Sequence, residues 1–96
     1  MSDRTFKQLA MTSVGTATTQ ELGELISGLQ VRAVRFKIVI INAGSSYLQA
    51  AGESGTDGVV LAAGTHETEV LSPDDLGHFT NDVTNTAKIY PFVSYD

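Results

Sequence analysis

The residues in this chain best suited to chemistry are two histidines and a run of carboxylates. His66 stands beside Glu67, Asp74 beside Asp75, and His78 lies twelve positions after His66. Zinc needs three or four ligands converging tetrahedrally. Neighbours on a strand point to opposite faces, so His66 and Glu67 do not chelate as a pair. His78 has no flanking ligand at a useful spacing, and both histidines read as surface residues. The turn from Glu53 to Gly58 lacks the alternating acidic ligands of a calcium loop. No serine sits in a Gly-x-Ser-x-Gly elbow, and no glycine-rich phosphate loop leads into a helix. A Ser–His–Asp triad built from distant positions would need a pocket that a thin sandwich seldom provides. The expectation is a protein that is no enzyme and holds no metal and no cofactor. A small hydrolase or metal-binding domain is the alternative from a different class.

Basic residues suggest binding rather than catalysis. Arg32, Arg35 and Lys37 form a basic edge, and Arg35 and Lys37 share one strand face. No stacking aromatic shares their strand face, since Phe36 between them falls on the opposite one, and the net charge is −5, so nucleic acid is not the expected partner. Membrane is not expected either. Apolar runs such as Ile38 to Ile41 reach no more than five residues, against the ~18–20 a spanning helix needs. The N-terminal stretch is too short and too rich in Thr and Ser for a signal h-region. Residues 1–40 carry five Lys and Arg against three acids, while residues 41–96 carry one Lys against eight acids. Such asymmetry reads as a solvated acidic face with no partner, the commoner role of charge of this kind, or as two parts that meet different surroundings.

The elements that must position these groups are strands. From Val34 to Ile40 the even positions are all apolar, a period of two that puts one face in a core throughout. Val39 and Ile41 make the other face apolar at its far end. Shorter strands are expected over 47–51, 59–61, 66–71 and 76–80, and a last one over 87–95. Between them, Asn42 to Ser46 reads as a turn in which Gly44 can take positive φ cheaply, Asp57-Gly58 marks the sharpest turn, and Ser72 to Asp75 is a connector. Residues 20–29 read equally as a helical turn N-capped by Thr19 or as a loose strand, because Gly23 and Gly28 interrupt the pattern. Turn signals every 8–12 residues point to an all-β protein, a compact antiparallel β-sandwich or small barrel. With 96 residues and no cysteine, one domain is expected, without disulfides.

Residues 1–30 read as an N-terminal arm or edge segment, and residues 31–96 as the sandwich. Phe6, Leu9, Met11 and Val14 keep no strict period of two or 3.6. They are candidate partner-interface residues, together with Arg35 and Lys37, because a free tail would leave them wet. Apolar residues on both faces around Val39–Ile41 and along the last strand suggest a homo-oligomer.

The order of strand and turn signals over residues 31–95 resembles small all-β virion structural proteins of tailed bacteriophages. These are head decoration or cement proteins and fibre or tail accessory proteins. The resemblance runs through Val34-Arg35-Phe36-Lys37-Ile38, Asn42-Ala43-Gly44-Ser45 and Thr56-Asp57-Gly58. It continues through Leu61-Ala62-Ala63-Gly64 and Asp75-Leu76 to Ala87-Lys88-Ile89-Tyr90. It implies a structural role without catalytic residues, with the chain made in the host cytoplasm and built into the virion. The implied partners are the major capsid protein or another virion protein, and further copies of the chain, with a trimer first. A capsid decoration protein that stabilises the head is the leading expectation, and a tail- or fibre-associated or receptor-binding module the alternative. The lengthened acidic turn at 53–58 and Pro91 inside the last strand depart from the pattern.

Overall fold

The alternation read in the central segment forms the longest strands. The computed structural model describes residues 5–96. Its strands are β1 (Lys7–Gln8), β2 (Thr12–Val14), β3 (Thr19–Glu21), β4 (Ala33–Ile41), β5 (Ser46–Gln49), β6 (Val59–Leu61), β7 (Gly64–Glu67), β8 (His78–Asn81) and β9 (Thr86–Ser94). One antiparallel sheet holds β9, β4 and β7 in that order, with β1 and β2 both on the free edge of β9. The second is ordered β3-β8-β5-β6. Two sheets packed over one core make the all-β sandwich that the period of two implied.

The core is the inner face of the first sheet covered by the second. Val34, Phe36, Ile38 and Ile40 of β4 are buried, as are Ala87, Ile89, Pro91 and Val93 of β9. Phe79 of β8 closes over them from the second sheet. The segment from Thr19 splits between the two readings. Its first three residues pair with β8, and Leu22–Ile26 form a short 3-10 turn that buries Leu22 and Ile26. Thr19 does not cap it. Its hydroxyl meets that of Thr80 across the strand pair, and Glu21 holds the cap position.

The N-terminal segment lies at the edges of both sheets rather than apart from them. β1 and β2 form one interrupted edge strand. Gln8 pairs with Phe92 and Thr12 with Ile89, so three residues, 9–11, oppose two. The bulge falls at Pro91, which has no N–H to give. Phe36, the β4 partner of Pro91, donates its N–H to the Thr68 hydroxyl and accepts from the Thr68 N–H on the other side, so the Pro91 nitrogen faces the bulge. The Pro91 carbonyl accepts from Leu9 N–H at 2.9 Å. β9 is thereby paired on both sides with a single interruption.

Polar side chains tie this edge to the second sheet. Buried Ser46 donates to Asn81 Oδ1 at 2.7 Å and accepts from Asn85 Nδ2 at 3.0 Å. Asn81 Nδ2 donates to the carbonyls of Val14 and Gly15. At the same end, positive φ falls on Asn42 (83°) instead of Gly44. Gly44 is needed for space, since a Cβ there would run into the Asp82 carboxylate and the Thr84 hydroxyl. That carboxylate accepts from the backbone N–H of Ser45, Thr84 and Asn85 and from the Thr84 hydroxyl. The Thr84 and Ser45 amides hold its pKa below the usual carboxylate value.

Candidate docking face on the first sheet

The outer face of the first sheet gathers the basic and aromatic residues. On β4 the residues turned away from the core are Arg35, Lys37, Val39 and Ile41, and on β9 they are Lys88, Tyr90 and Phe92. Antiparallel register sets Arg35 opposite Phe92, Lys37 opposite Tyr90, and Val39 opposite Lys88. On the free side of β9, Gln8 pairs with Phe92, which brings Phe6, two residues earlier, to the same face.

These registers set an arginine over two rings. The Arg35 guanidinium carbon lies 4.5 Å from the Phe92 ring centre and 5.1 Å from that of Phe6. Stacking of this kind fixes the plane of the fork and leaves its N–H edge available. Among the described residues no carboxylate pairs with Arg35. Glu67 lies directly across from Lys37 on β7 without forming an ion pair. Beside this stack, Gln8, Lys37, Val39, Thr65, Tyr90 and Phe92 line a shallow open groove of about 320 Å³. Arg35, Lys37 and Lys88 are three of the six Lys and Arg in a chain of net −5.

Of the six interface residues expected from sequence, the structure brings Phe6, Arg35 and Lys37 together on this face. Met11 is exposed on the bulge, where its sulfur accepts from the Ser13 hydroxyl at 3.4 Å. Leu9 is half-buried against the core. Val14 is a correction. It pairs with Ala87 on the inward side of β9, is 3% exposed and belongs to the core. Tyr90 and Phe92 were not among the six. Their shared face was legible in the period of two. Their position beside Arg35 depended on which strand pairs with β9.

The histidines are engaged locally. His66 Nε2 bonds the Ala62 carbonyl at 2.7 Å. His78 Nε2 bonds the Glu53 carbonyl at 2.8 Å, and its Nδ1 lies 3.6 Å from Glu21. Among the described residues no group of three or more His, Asp or Glu converges as a metal site would. No helix there is long and apolar enough to cross a membrane. No family model, curated protein or solved structure matches the chain.

Proposed function

We propose that this chain is a non-catalytic structural protein of a tailed-phage virion, which decorates the head by docking the outer face of its first sheet on the capsid shell. The supporting observation is Arg35, whose guanidinium lies over the rings of Phe6 and Phe92 and has no carboxylate partner among the described residues. A guanidinium already fixed in its plane loses little freedom when it engages a carboxylate through two N–H bonds. Arg is also among the residues that most often anchor protein interfaces. Tyr90 one pair along, with Val39 and Ile41 farther along β4 on the same face, adds apolar area to the surface that a partner would cover. An acidic patch on a larger protein is the complementary surface. The resemblance of residues 31–95 to small virion proteins, head decoration and fibre or tail accessory proteins alike, supports a virion protein, the major capsid protein first, as that larger protein.

The test is co-sedimentation of the full chain with phage heads assembled without it, at low and high salt. The chain should pellet with heads at low salt and less at high salt, because steering between exposed charges is screened. Replacing Arg35 and Lys37 together by alanine should abolish pelleting while the melting temperature stays near that of the parent. A chain that never pellets with heads contradicts the reading. Binding to isolated tails instead would assign the chain to the tail- or fibre-associated alternative.

A further inference from the structure

At the β6 edge of the sandwich, a residue that faces the core is left uncovered. Val59 pairs with Leu48 and lies on the same face of β6 as Leu61, which packs against the core. Yet Val59 is 60% exposed. Beyond it opens a cleft of about 430 Å³ between the second sheet and residues 68–71, which run on from β7 along β4 through the Thr68–Phe36 and Leu71–Val34 backbone bonds. Leu48, Val59 and Leu71 form its apolar walls, and Glu53, Glu69 and Asp75 stand among its lining residues. Gly58 admits the chain to this place. Its φ is +91°, and a Cβ would come 2.5 Å from the Leu48 carbonyl oxygen.

β6 is also the last strand of its sheet, and among the described residues no backbone bond is made from its outer side. Natural edge strands are usually blunted by short length, charge, proline or a bulge, and β6 has only the first of these at three residues. Val59-Val60-Leu61 carries neither charge nor proline. An unpaired edge beside an open apolar seam has the features used by proteins that accept an added strand.

We propose that this cleft receives an extended segment of a partner protein, added alongside β6, in which apolar residues alternate with Lys or Arg. The alternation follows from the geometry. Successive side chains of an added strand point to opposite sides, one set into the Leu48–Val59–Leu71 seam and the other outward. The basic residues follow from Glu53, Glu69 and Asp75, whose charge is complementary to them. The site lies on the second sheet's edge and does not depend on docking through Arg35.

The probe is a fluorescent peptide alternating lysine and valine, titrated against the full chain, with the same peptide carrying glutamate for lysine as control. The lysine peptide should bind saturably and the glutamate peptide should not. Glu69→Lys with Asp75→Lys, both at exposed positions, should weaken binding by about tenfold or more at unchanged melting temperature. Amide exchange should slow at Val59–Leu61 when the lysine peptide is bound. Failure of the lysine peptide to bind, equal binding of both peptides, or binding without slowed exchange at Val59–Leu61 each overturns the proposal. So does slowed exchange there on concentrating the protein alone, which would give the cleft to a second copy of this chain.

Discussion

Arg35 and Phe92 face each other across β4 and β9, with the guanidinium carbon 4.5 Å above the centre of the ring. Neither residue is needed by the core, since both project from the outer side of the sheet. The contact orients a charge that has no carboxylate partner among the described residues. Arg35→Lys keeps the charge but loses the planar fork. Docking to heads should then weaken by roughly 1–2 kcal/mol, a factor of about 5–30, with little change in melting temperature. Undiminished docking of the lysine variant would show that the fork is not what the partner reads.

Acid should weaken the fold through Asp82. Its folded pKa is lowered by the amides of Thr84 and Ser45. A carboxylate depressed in the folded state stabilises fully above its unfolded pKa, near 3.8, and that contribution is lost as pH falls through the folded value. Asp82→Asn should therefore be less stable than the parent at neutral pH and should show a flatter loss of stability in acid. Urea midpoints measured from neutral pH down to strongly acid conditions check this. Parallel curves for the two proteins would contradict it.

Much of the fold was written in the residues, and the parts that were not have identifiable causes. β4 was legible because Val34 to Ile40 keeps an apolar residue at every second position, and β9 because Ala87 to Tyr95 is a closing run rich in strand-forming residues, apolar on both faces. The N-terminal strands were obscured by the bulge opposite Pro91, which shifts the inward positions from Leu9 to Thr12 and Val14 and so breaks the alternation. The turn at Asn42 to Ser46 was legible, but the need for Gly44 was not, because the crowding by Asp82 and Thr84 comes from residues about forty positions away. The docking face was half legible. Arg35 and Lys37 announce a shared face on one strand. Their aromatic neighbours come from β9 and from the segment before β1, and local sequence holds no record of which strands become neighbours.

The core should depend heavily on Phe36, which is fully buried. Phe36→Ala should cost on the order of 3–5 kcal/mol, from lost transfer energy and the cavity left behind. That is a large part of the ~5–15 kcal/mol such a domain has. Denaturant unfolding measures it, and a variant as stable as the parent would contradict the inward register of β4.

The polar link between the sheets should be nearly as sensitive. Ser46→Ala would leave both Asn81 Oδ1 and Asn85 Nδ2 without the hydroxyl they share in a buried site. A loss of about 1–3 kcal/mol is expected, or roughly 4–8 °C of melting temperature per kcal/mol. Calorimetry reads it directly. No change in melting temperature would mean that water replaces the hydroxyl.

The most direct test of the docking face is an electron-microscopic reconstruction of heads carrying the full chain, at a resolution that orients the sandwich. The outer face of the first sheet should lie against the shell, with Arg35 and Lys37 meeting acidic side chains of the capsid protein. Density showing that face turned to solvent, or the chain located on the tail and absent from the head, would contradict the account.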